Sequence, residues 1–152
     1  EGITVHCAVF SIAETSIPKE FPPDILATEI KDATQVLGIL PQNLVVHRYP
    51  VRYFHAHRQE ILEELVKLRQ QVMPDLVFLP SSDDIHQDHQ VINQEGIRAF
   101  KHTTILGWEL PWNNLQSTAS ALIPLQARHV AKKVEAIKQY KTHKISASQY
   151  MV

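Results

Sequence analysis

Apolar residues along this chain fall into two alternating patterns. Short continuous runs rich in branched residues occur at Ile3–Phe10, Leu44–His47, Leu76–Leu79 and Ile105–Glu109, and each predicts a strand, that at Leu76–Leu79 a buried one. Ala121–Leu125 predicts a further short strand. Between these runs, apolar residues recur at helical spacing. Leu26, Ile30, Ala33 and Leu37 define a helix opened by Asp24 and closed by Gly38. Ile61, Leu65, Leu68 and Val72 define a second, ended by Pro74. A third covers Gln90 to Phe100, where Gly96 predicts close packing against a sheet. The last runs from about Gln126 to Lys141, with Val130, Val134, Ile137 and Lys141 along one stripe. Ser11–Pro23, with three prolines, is a loop. Strands that alternate with helices predict an α/β fold: a mostly parallel sheet covered on both faces, in one domain spanning 1–152.

Composition narrows the class. The chain has 152 residues, 44% hydrophobic and 20% charged, as in an ordinary soluble domain. A net charge of −1 without a basic run argues against a nucleic-acid or membrane-surface binder. No apolar stretch reaches spanning length, and the start, EGITVHCAVF, lacks signal-peptide flanks, so a cytoplasmic location is expected. The one cysteine, Cys7, sits in an apolar run and reads as a small buried hydrophobe. Nine histidines are the compositional oddity.

Four potential ligands cluster in PDLVFLPSSDDIHQDH, residues 74–89: Asp84, His86, Asp88 and His89 lie within six positions, where a strand gives way to a helix. Sites in open α/β sheets form at such carboxyl ends of strands. Imidazole and carboxylate suit zinc, and a catalytic zinc takes three protein ligands and an open position. The run supplies one or two of these. One carboxylate could orient a neighbouring ring, leaving the other histidine for acid–base work. The competing reading is a polar loop whose Asp and His cap the next helix.

These residues carry a family resemblance. PDLVFLPSSDDIHQDHQVINQEGIRAF resembles the second block of the LmbE/PIG-L-like zinc de-N-acetylases, P-D-x-V followed by D-x-H-x-D-H. VRYFHAHRQEIL (Val51–Leu62) and ILGWELPWNN (Ile105–Asn114) resemble the subgroup associated with surface-polysaccharide synthesis, and KKVEAIKQYKTH resembles the family's last helix. The resemblance implies a Rossmann-like three-layer fold and zinc-dependent removal of an N-acetyl group from an amino sugar, nucleotide- or lipid-linked. It implies that His89 ligates Zn2+, that His86 protonates the leaving amine or steadies the oxyanion, that Asp88 orients His86, and that Asp84 belongs to the pocket wall.

The resemblance also has a gap. The family's first block, A-H-P-D-D-E, which brings two zinc ligands and the general base, has no counterpart here, and EGITVHCAVFS resembles the family's second strand. The expectation is a sheet without its first, central strand and the following helix, leaving unpaired edges prone to association, homo-oligomers included. A truncated product, a part held on another chain and a degenerate relative all fit that gap. The alternatives to an active deacetylase are therefore a catalytically incomplete remnant that binds a sugar nucleotide or a protein partner, and another metallohydrolase such as a phosphoesterase. A smaller departure is Leu26, where the family often has arginine.

Other residues supply candidates for substrate contact. Arg52 and Arg58, flanking Tyr53-Phe54, could clamp a phosphate on the sugar donor, or be an ordinary solvated loop. Trp112 and Asn113, beside Trp108 and Asn114, offer an aromatic face and an amide for a sugar; otherwise Trp108 is core and Asn113-Asn114 a turn. His47, His55, His57, His102, His129 and His143 read as loop or surface residues.

Overall fold

A computed structural model describes residues 2–116 and 119–142; His143 lies outside the described residues. Its contacts divide the chain into two compact units, Glu1–Arg48 with Ile123–Val152, and Tyr49–Leu122.

In the first unit, β1 (Cys7–Val9) pairs in parallel with β2 (Leu44–Val46), with Cys7 opposite Leu44. His47 N–H continues the ladder to the Val9 carbonyl at 2.7 Å. Helix α1 (Ile25–Val36) buries Leu26, Ile30 and Ala33, and Leu26 and Ile30 join Ile12 in the core. Leu26 is thus a packing residue. Asp24 occupies the N-cap position without a side-chain cap bond. Gly38, at φ 83°, takes the left-handed conformation that ends the helix, and its N–H reaches the Gln35 carbonyl. Helix α4 (Ala127–Ile137) opens with a reciprocal cap between Gln126 and His129. Val130 and Val134 of the expected stripe are exposed, whereas Ala136 is buried. The buried carboxylate of Glu29 accepts the N–H groups of Lys141 and Thr142 and the Thr142 hydroxyl.

In the second unit, β3 (Leu76–Pro80) pairs in parallel with β4 (Thr104–Trp108) over five residues, Leu76 opposite Thr104. Helix α2 (Arg58–Val72) buries Ile61 and Leu65 and ends at Met73, which is left-handed just before Pro74. Helix α3 (Gln87–Ala99) packs on β3. A Cβ on Gly96 would lie 2.6 Å from Leu79 Cδ1, so glycine is what permits the helix this close. Asn93 donates to the Pro80 carbonyl at 2.8 Å, fastening α3 to the end of β3.

The parallel α/β architecture matches the expectation in type, with differences in detail. β1 occupies only Cys7–Val9 of the predicted Ile3–Phe10 run, and Ile3 and Val5 are exposed. Helix α3 begins three residues before the predicted Gln90, because His86 caps it. The strand expected at Ala121–Leu125 does not form: that segment is coil with Leu122, Ile123 and Leu125 exposed, so its apolar residues find no sheet to join. Each sheet has two strands, and among the described residues no third strand joins either. No described helix is long and apolar enough to cross a membrane.

Candidate active site

The residues between β3 and α3 form a tight, internally bonded loop. Ser81 N–H extends the sheet to the Trp108 carbonyl at 2.9 Å, and the Ser81 hydroxyl and carbonyl then accept from Asp83 N–H and Asp84 N–H. Across the loop, Asp84 bridges to Asn114, and Ile85 N–H donates to the Asn113 carbonyl at 2.9 Å. The segment after β4 therefore holds the loop from one side, and α3 holds it from the other.

Asp84 is fully buried. One carboxylate oxygen accepts His86 N–H at 2.8 Å, and the other lies 2.7 Å from Nδ1 of His89. Burial by itself would raise the Asp84 carboxyl, but the bonds from His89 and from the His86 backbone, the charge of His89 and a bond from the Asn113 side chain outweigh it, and its pKa lies below the ordinary value. An ionised Asp84 accepts from His89 Nδ1–H, so in the neutral ring it is Nε2 that carries the free lone pair. The Trp108 ring meets the His89 ring in a T-shaped arrangement from another side, with centroids 5.4 Å apart.

His86 is the N-cap of α3. Its Nδ1 accepts from Asp88 N–H at 3.2 Å, an uncommon cap that satisfies one orphan donor of the first turn. An accepting Nδ1 places the ring proton on Nε2. The His86 and His89 rings lie 4.5 Å apart and 30° from coplanar. One thus offers a lone pair and the other an N–H.

The structure reassigns several expected roles. Asp84 does not line a pocket wall, since none of it is exposed; it orients His89. The Asp88 carboxylate does not orient His86. It accepts Arg52 N–H at 2.5 Å and Phe54 N–H at 3.3 Å, and only the Asp88 backbone meets His86. Arg58 is no free clamp: its guanidinium grips the buried carboxylate of Glu95, which Arg98 also holds at 2.6 Å. Asn113 spends its side chain on Asp84. Trp112 is 69% exposed, open to a planar ligand face. The amide of Asn114 is buried without a hydrogen-bond partner. His57 pairs with Glu60, and His102 and His129 are exposed, as expected of loop and surface residues, whereas His47 extends the β1–β2 ladder and stacks on the buried Phe10. What sequence reasoning missed is the pairing itself. Asp84 with His89 and Asp88 with Arg52 are set by the cap and the loop register, which residue spacing does not encode.

The donor set speaks to a metal only in part. A histidine whose Nδ1–H is held by a buried carboxylate is the usual form of a metal ligand, and Nε2 of His89 fits that role. Among the described residues no group of three or more His, Cys, Asp or Glu side chains is placed to hold an ion, so His89 fits as one ligand rather than as part of a complete set.

A parallel α/β frame thus carries a carboxylate-oriented histidine and a second imidazole at a strand's carboxyl end. The chain belongs to the PIG-L family, described as GlcNAc-PI de-N-acetylase, whose model matches residues 2–100. The family is generally metal-dependent. In structure the chain is similar to the A40926 pseudoaglycone deacetylase Dbv21, with a TM-score of 0.72 at 17% identity, over 93% of this chain and 71% of that one. That identity supports the shared fold. No curated protein matches the sequence. Family membership supports de-N-acetylation as the reaction class, and with it hydrolase chemistry on an N-acetylated sugar.

Proposed function

We propose that this protein hydrolyses the N-acetyl group of an N-acetylated amino sugar with the help of zinc, in the synthesis of a surface glycan. The observation that carries the reading is the Asp84–His89 contact of 2.7 Å, which aims the lone pair of His89 Nε2 away from its own carboxylate partner and beside the His86 ring. His89 would be one protein ligand of the metal. Zinc supplies Lewis acidity, which makes hydroxide available near neutral pH.

The chain's own residues then divide the remaining work. Asp84 stays ionised and keeps His89 in one tautomer and one orientation. His86, with its proton on Nε2, donates to the acetamide oxygen as that oxygen gains charge in the tetrahedral intermediate. The cap bond favours this oxyanion role over protonation of the leaving amine, because a proton on Nδ1 would face the Asp88 N–H, and the departing nitrogen then takes the proton released by the attacking water, giving acetate and free amine. Trp112 offers an exposed aromatic face for the sugar ring.

The test is metal analysis combined with acetate release. His89→Ala should lose bound zinc and activity together. His86→Ala should keep zinc and lose about 100-fold or more of the rate, as for an oxyanion donor. Full zinc occupancy in His89→Ala would refute the assignment.

A further inference from the structure

We infer that helix α4 lies on an anionic lipid surface, with its valine face in the bilayer interface and its lysines on the headgroups. The inference is independent of the deacetylase reading and concerns a different part of the chain. The net charge of −1 averages over an uneven distribution. Residues 126–141 hold five of the 15 lysines and arginines, namely Arg128, Lys132, Lys133, Lys138 and Lys141, against one acid, Glu135. That segment therefore carries +4 and the rest of the chain −5.

Within α4, Val130 and Val134 stand one turn apart in a single stripe, yet they are 49% and 44% exposed. At about 100° of rotation per residue, Lys133 and Lys138 border that stripe on its two sides. The helix meets its own unit elsewhere. Ala136, about a third of a turn round from Val130, is buried. Glu29 of α1 holds the N–H groups of Lys141 and Thr142 just beyond the helix end. The coil leading into α4 is also apolar and open, with Ile123 62% and Leu125 63% exposed. Lys132 pairs with Glu135 at 3.1 Å, whereas Arg128, Lys133 and Lys138 are exposed and make no ion pair among the described residues.

An apolar stripe with lysines along both borders suits a helix in the plane of a bilayer. The valines enter the acyl boundary, and the lysine stems follow while their ammonium groups stay with the lipid phosphates. Eleven residues make a helix about 16 Å long, against the roughly 30 Å of a hydrocarbon core, so α4 lies on the surface and does not cross it. Charge argues against other occupants. A second copy docked face to face would set one basic helix against another, and a nucleic acid would leave the valines without an apolar partner. The stripe is narrow, so binding needs the valines and the lysines together.

The experiment is flotation of the whole chain with vesicles of phosphatidylcholine alone, or of phosphatidylcholine with about one-third phosphatidylglycerol. The mixed vesicles should bind and the neutral ones should not. Binding should fall as added salt cuts the Debye length from about 10 Å to about 3 Å. Lys133→Gln with Lys138→Gln should weaken it about 25-fold, at about fivefold for each surface charge. Val130→Ser with Val134→Ser leaves every charge in place and should weaken it about tenfold or more. All four side chains are exposed, so circular dichroism should report an unchanged fold. Ile3→Ser, at an exposed position outside this segment, should have no effect. Equal binding to both vesicle types, binding to neither, or anionic-vesicle binding unchanged in either double variant overturns the inference. So does a concentration-dependent dimer that the double serine variant abolishes, which would give the face to a second copy.

Discussion

Asp84 Oδ2 lies 2.7 Å from His89 Nδ1, and the same fully buried carboxylate accepts the His86 N–H. One acid thus sets the ring of one histidine and the backbone of the other. Asp84→Ala would leave the His86 N–H without its acceptor and the His89 ring free to turn. It should destabilise the protein by about 1–3 kcal/mol and weaken zinc affinity by about 10–100-fold. Urea unfolding and a zinc titration read the two effects separately.

The same contact has a pH signature. The Asp84 carboxyl is held below the ordinary carboxylate range, burial notwithstanding, by its bonds to His89 and His86. A depressed folded-state pKa contributes stability above the unfolded value, about 4, and loses it as pH falls through the lower folded value. The stability gap between wild type and Asp84→Asn should therefore be constant from neutral pH to about 5 and shrink below about 4. A gap independent of pH down to the acid transition would contradict the ionised assignment.

Arg52 and Asp88 make opposite predictions for stability. Arg52→Gly removes a left-handed non-glycine residue and should stabilise by about 1 kcal/mol. Asp88→Ala leaves the N–H groups of Arg52 and Phe54 without their acceptor and should cost about 1–3 kcal/mol. Denaturant midpoints that move in the same direction for both variants would show that the loop is not held as described.

Gly96→Ala tests the packing beneath the site. Its new methyl would meet both Leu79 methyl carbons at 2.6 and 2.7 Å, and Leu79 is itself buried. Overpacking of this kind costs about 1–3 kcal/mol. The cost should largely disappear in a Leu79→Ala background, which a double-mutant cycle measures. Purely additive costs would place the clash elsewhere.

Cys7 supplies a control away from the site. Burial raises its thiol above the usual value, so alkylation by iodoacetamide should need higher pH than for an exposed cysteine peptide. Equal rates at neutral pH would show an exposed thiol.

The parallel strand–helix alternation was legible in the sequence because its periods are local: branched runs at Leu76–Leu79 and Leu44–His47, and three- and four-residue spacing at Ile61 to Val72. Gly96 announced its close approach for the same reason. Ala121–Leu125 misled because a branched apolar run is a strand only if a neighbouring strand receives it. In the site, the position of the His/Asp cluster was readable, but the partners were not. Whether Asp88 faces His86 or Arg52 depends on where a loop 36 residues away comes to lie, and Arg58 looked free until the fold brought Glu95, 37 residues on, to its guanidinium.

The most direct test of the central claim is to follow acetate and free amine from an N-acetyl-labelled amino sugar, with zinc present, for wild type and His89→Ala. Acetate and amine released in equal amounts by wild type, and neither by a folded His89→Ala variant, is the predicted result. Acetate release undiminished in His89→Ala, or a zinc-loaded wild type that releases none, would contradict it.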